Sequence, residues 1–96
     1  MTITHVVTFT FKPDTSPKAI IKLSESLDEM ASSLDGIESF RHGPDVQVRK
    51  GNADYAVSAV FSDRDSFAQY MASPEHRQLV TELLTPHLVS KSSVQF

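Results

Sequence analysis

Ile3-Thr4-His5-Val6-Val7-Thr8-Phe9-Thr10-Phe11 alternates along its length between two kinds of side chain. Parity puts Ile3, His5, Val7, Phe9 and Phe11 on one side and Thr4, Val6, Thr8 and Thr10 on the other. The period of two and the β-branched and aromatic content make this a β-strand. Lys12-Pro13-Asp14-Thr15 breaks it. Ser16-Pro17 has the order of an N-cap followed by proline at the first helical position. Ile20, Leu23, Leu27, Met30, Ala31 and Leu34 then recur at steps of three and four, which predicts an amphipathic helix ended by Asp35-Gly36.

Ile37 to His42 reads as a second strand, closed by a turn at Gly43-Pro44-Asp45 and followed by a loop through Lys50-Gly51-Asn52. Tyr55, Val57, Ala59 and Phe61 alternate with Ala56, Ser58 and Val60, so the third strand is apolar on both faces and belongs in the middle of a sheet. Ser62-Asp63-Arg64-Asp65 resembles a capping box with Ser62 as the cap, and Phe67, Tyr70 and Met71 supply the inward stripe of a short helix. Ser73-Pro74 repeats the cap-plus-proline signal. His76, Leu79, Val80, Leu83 and His87 share one helical arc until Pro86 stops it. A last strand runs from Leu88 to Phe96, with Leu88, Ser90, Ser92, Val94 and Phe96 on one side. The order β-α-β-β-α-β, with its second helix split, predicts an α+β ferredoxin-like sandwich in which both helices cover one face of an antiparallel four-stranded sheet. The other face, with Val6, Thr8 and Val60, is left open, and a second copy of the chain is its expected cover.

Composition bounds what such a domain does. The 96 residues, 40% apolar and 22% charged, suit one domain spanning residues 1–96. There is no Cys, hence no disulfide framework, Cys-type zinc site or thiol redox motif. A net charge of −3, with Arg49-Lys50 as the longest basic run, argues against a nucleic-acid surface. No stretch approaches the roughly 18 apolar residues of a membrane span, and the start has no signal-peptide pattern, so the expected location is cytoplasmic and away from membranes.

Three motifs carry a resemblance over most of the chain: Thr4-His5-Val6-Val7-Thr8-Phe9, Gly43 with Asp45-Val46, and Ser73-Pro74-Glu75-His76. In this order and at this length the sequence resembles the stress-responsive A/B barrel domain family of the dimeric α+β barrel superfamily. That resemblance implies a homodimer whose two four-stranded sheets face each other as a barrel with the helices outside. It implies no single reaction, since members include a plant polyketide cyclase acting by aldol condensation, a ring-forming plant stress protein and many bacterial proteins of unknown role. In the cyclase a His on the last helix acts as base with a Tyr on the preceding helix, near a strand-one His. His76, Tyr70 and His5 stand at those positions. The cyclase has a further His on the third strand and a Tyr on the first helix, where this chain has Tyr55 and Leu27.

The candidate site is therefore a His-Tyr-His constellation beside an apolar pocket formed by Val7, Phe9, Leu79 and Leu83, with Tyr55 as a further contact. A neutral His76 imidazole would serve as general base, Tyr70 as its orienter or an oxyanion donor, and His5 as a second polar contact or acid. Each also has a structural alternative: a satisfied core histidine for His5 and His76, a packed ring for Tyr70 and Tyr55. His42, before the Gly43 turn, and His87, near a helix C-terminus, read as structural. The His residues lack metal-ligand spacing, and there is neither a Gly-rich phosphate loop nor a nucleophile elbow, so no metal or cofactor is expected. Two functional classes follow: a cofactor-free lyase, cyclase or isomerase acting on a hydrophobic, polyketide-like carbonyl compound, or a non-catalytic stress or scaffold barrel. A cofactor-independent monooxygenase of the same superfamily would share the fold but not this residue pattern.

Overall fold

Strand β1 spans Ile3–Phe11, and its burial alternates: Ile3, His5, Val7, Phe9 and Phe11 are buried, while Thr4, Val6, Thr8 and Thr10 are half-buried. The computed structural model describes residues 1–96. The remaining elements are α1 (Pro17–Ser32), β2 (Ile37–Pro44), β3 (Tyr55–Phe61), α2 (Arg64–Ala72), α3 (Pro74–Leu79) and β4 (Leu88–Gln95). A π-turn (Val80–Leu84) and a 3₁₀ turn (Thr85–His87) separate α3 from β4. The strands form one antiparallel sheet in the order β2-β3-β1-β4. This is the ferredoxin-like sandwich, with β3 central as its two apolar faces require.

On the covered face, α1 packs against β2 and α3, and α2 against β3 and α3. Leu23, Leu27 and Met30 of α1, Val57, Ala59 and Phe61 of β3, and Val7 and Phe9 of β1 join one buried cluster. Each large side chain so buried contributes about 1.5–3 kcal/mol. The opposite face is bare. Its positions Thr4, Val6, Thr8, Ala56, Ser58, Val60 and Val94 carry no charge, Arg41 of the edge strand β2 stands opposite Ser58, and Val94, paired beside Val6, remains 55% exposed.

Local chemistry departs from the sequence expectation in four places. β2 continues through Gly43 and Pro44, which pair with Ala56 and Tyr55, so the turn begins only at Asp45. Proline is tolerated there because β2 is an edge strand, where no ladder partner needs its missing N–H. The connection closes with Asp45 N–H donating to Asp54 C=O at 2.8 Å. The cap of α2 is Asp63, whose carboxylate accepts from Ser66 N–H at 2.8 Å. Ser62 instead donates its backbone N–H and its hydroxyl to the Gly36 carbonyl, at 2.9 and 3.3 Å. Met71, expected on the inward stripe, is 43% exposed and only edges the interior. Finally, the last helix is regular only to Leu79, beyond which the chain widens into the π-turn.

Gly36 is the tightest backbone position. Its φ is 81°, and a Cβ there would run into the side chain of Ser66 at the start of α2. Replacement Gly36→Ala combines left-handed strain with that clash, so it should destabilise the fold by about 2 kcal/mol or more. Urea titration of the two proteins measures this, and equal midpoints would contradict it.

Candidate active site

β1 delivers His5 to the helix-covered face, where it is 6% exposed. The register places Gln95 of β4 opposite it, with Gln95 Nε2 2.9 Å from His5 Nδ1. An amide nitrogen can only donate, so Nδ1 accepts and the neutral ring keeps its proton on Nε2. Burial holds His5 below its ordinary pKa of 6.5.

One hydroxyl joins the other two groups. Ser73, itself buried, donates through Oγ to the Tyr70 carbonyl at 2.9 Å and accepts from His76 N–H at 3.1 Å. It thus closes α2 and caps α3 together, with Pro74 at the first helical position. This abrupt junction turns the Tyr70 and His76 rings toward each other, with centroids 4.7 Å apart, while Tyr70 meets His5 edge-on at 6.2 Å. Burial pushes the Tyr70 phenol up to about 12. Its hydroxyl has no hydrogen-bond partner within the chain and is not sealed off, since Thr15 Oγ1 is the one sealed side-chain oxygen without a partner. His76 lies below its ordinary pKa, first through burial and then through the charges of His5 and Lys91. At neutral pH the site therefore holds two neutral imidazoles and a protonated phenol.

These groups face a cavity of about 140 Å³ between helices and sheet, open to solvent on the side of β4. Val7, Phe9 and Leu79 line it as expected, with Leu23, Leu27, Val57, Val80 and Leu84 completing the apolar wall. Leu83 does not. The π-turn carries Thr85 N–H to Val80 C=O, five residues back, and the extra residue per turn moves the inward position after Leu79 to Leu84. Leu84 is buried, whereas Leu83 lines an open, largely polar surface groove with Lys22, Glu29 and Glu82.

Tyr55 is also absent from the wall. Its hydroxyl donates to His42 Nδ1 at 2.7 Å, and His42 Nε2–H donates to Asp28 at 2.7 Å, tying β3, β2 and α1 together. Its ring packs among those of Phe9, Phe11 and His42. Sequence reasoning missed Leu84, Lys91, Ser93 and Gln95. The signal for the last three was the polar parity of β4, opposite in face to Ser92 and Val94. No group of three or more His, Asp or Glu side chains converges in a metal-holding arrangement, and no helix is long and apolar enough to cross a membrane.

The stress-responsive A/B barrel domain matches this chain over residues 3–95. The chain belongs to that family. Stress-response A/B barrel domain-containing protein HS1 of Arabidopsis thaliana is 25% identical to it over 84 residues, which cover 85% of this chain and 77% of the relative. A dimeric ferredoxin-like protein of unknown function from Thermobifida fusca superposes with a TM-score of 0.93 at 26% identity, covering 100% of this chain and 90% of that one. The hydroxynitrile lyase of Passiflora edulis shares the fold, with a TM-score of 0.85 at 16% identity over 99% of this chain and 91% of its own.

The lowered pKa of His76 in this A/B barrel protein links its burial to stability. The unfolded chain takes up a proton at each histidine below about pH 6.5, whereas folded His76 resists protonation. Stability is therefore full above pH 6.5 and is lost as pH falls through the folded value. Denaturant titrations from pH 7.5 to 5 should show a shallower loss for His76→Gln than for the wild type; parallel curves would contradict the burial of this imidazole.

Proposed function

We propose that this A/B barrel protein is a homodimer of one domain per chain, in which each subunit binds a compact hydrophobic carbonyl compound and moves a proton on it without a cofactor, as a lyase, isomerase or cyclase. The observation that carries this reading is the convergence of His5, Tyr70 and His76, from three separate elements, on one largely apolar cavity, with the Tyr70 hydroxyl unpartnered. Neutral His76 takes the proton next to the carbonyl. Tyr70 O–H and His5 Nε2–H donate to the oxyanion that develops, in surroundings dry enough to strengthen both bonds. The lyase of Passiflora edulis supports the compatibility of this fold with such chemistry.

Volume narrows the ligand. An apolar cavity of about 150 Å³ takes up benzene, so the 140 Å³ here suits a single ring or a short branched chain. This argues against the larger, polyketide-like members of the expected substrate class. The same number favours a second reading, a non-catalytic barrel, since ligand pockets usually exceed about 300 Å³. The homodimer rests on the bare sheet face, uncharged along the central strands β1 and β3 with Arg41 out on the edge strand β2, and on the dimeric relative from Thermobifida fusca.

Light scattering should report about twice 10.6 kDa, and Val6→Asp should shift the protein toward monomer; a wild-type monomer at micromolar concentration would overturn the assembly. For the chemistry, cyclohexanone in D₂O serves as a test compound, with α-proton exchange followed by NMR. The wild type should accelerate exchange, His76→Ala should reduce the acceleration by about 10²-fold or more, and Tyr70→Phe should reduce it in the same direction. The rate should fall as pH drops through the lowered His76 pKa. Absence of any acceleration would leave the non-catalytic barrel.

A further inference from the structure

β4 forms an edge of the sheet beside β1. Its register sets Lys91 opposite Phe9, Ser93 opposite Val7 and Gln95 opposite His5, so these three polar side chains share the face on which β1 lines the cavity. Apart from the two histidines, both with lowered pKa, Lys91 is the only ionisable residue of that lining that carries charge at neutral pH; no Asp or Glu belongs to it. The ammonium also has no partner of its own, because the single ion pair in the chain joins His42 to Asp28. Nor is it part of a generally basic surface, since the chain carries a net charge of −3.

A lone cation at the exposed rim of an apolar chamber constrains what enters. Lys91 is exposed yet belongs to the lining, and the low-dielectric interior behind such a rim weakens screening of its field. We infer that the cavity selects a small carbonyl compound bearing a carboxylate, with the apolar body inside, the carboxylate on Lys91 at the rim and the carbonyl between them beside Tyr70 and His76. This rests on the ligand-binding reading proposed above and adds to it the charge of the ligand. The same ammonium lowers the His76 pKa. After burial and His5 it is the third influence holding the imidazole neutral, and it favours negative charge developing on the bound compound.

The test compares benzoate with benzamide, matched in shape and differing in charge, by NMR titration of the His5 and His76 imidazole signals. Wild type should bind benzoate about tenfold more tightly than benzamide, as expected for a charge-assisted contact at a partly wet site. Lys91→Met should abolish the preference and Lys91→Arg should keep it, with unchanged thermal midpoints showing that both variants are folded. In roughly 1 M salt, where the screening length falls to about 3 Å, the wild-type preference should shrink. Equal binding of the two compounds by wild type, or a preference that survives Lys91→Met, overturns the role of Lys91 and leaves the cavity as a site for neutral ligands. Failure of both compounds to move either imidazole overturns the ligand-binding reading together with this inference.

Discussion

The pairing of β1 with β3 on one side and β4 on the other sets the rest of the molecule. Because side chains alternate along a strand, a slip of one residue would turn His5, Val7 and Phe9 out to the bare face and bring threonines into the core. The observed register, with His5 between Ala59 and Gln95, puts an apolar wall under the helices and an imidazole at one end of it. The same register places the polar parity of β4 at the open side of the cavity. Core packing, the candidate site and the opening of its cavity are thus consequences of one set of backbone hydrogen bonds.

The site needs a second device, because a sheet supplies only one of its walls. Ser73 breaks the helical layer and uses a single hydroxyl to satisfy the end of α2 and the start of α3. Tyr70 and His76 consequently lie on different helices yet within ring contact. Burial then widens the pH range over which the imidazoles stay uncharged and the phenol protonated, the states that the proposed base and oxyanion donor require. The π-turn that follows is the adjustment by which the chain closes the chamber with Leu84 before Pro86 ends the helical path.

His42 and Tyr55 show how the same residue types take up a structural task a short distance away. Their hydrogen bonds are complete, running from phenol to imidazole to the Asp28 carboxylate, and they bind three elements to one another. Tyr70 and His76 have no comparable chain of side-chain partners. The free hydrogen-bonding capacity facing a cavity, more than the presence of His and Tyr, separates a candidate site from a structural brace.

Much of this was written in local sequence. Alternation in Ile3–Phe11 and Tyr55–Phe61, the Ser16-Pro17 and Ser73-Pro74 caps and the spacing of Leu23, Leu27 and Met30 determined the elements, their order and the face each would bury. Those signals depend on periods of two and 3.6 residues and on short-range hydrogen bonds, which neighbouring residues suffice to define. His5, Tyr70 and His76 were placed on inward faces by those periods, but the family resemblance was what joined them into a set. Tertiary structure alone decided that Tyr55 belongs to His42, that Leu84 replaces Leu83 in the cavity wall, and that Lys91 and Gln95 reach a site assembled from residues far earlier in the chain. A phenol turns to whichever partner the neighbouring strand presents, a helix widens where packing demands it, and the final strand finds its facing residues only on pairing with the first. These outcomes depend on contacts between elements distant in sequence, which no local period encodes.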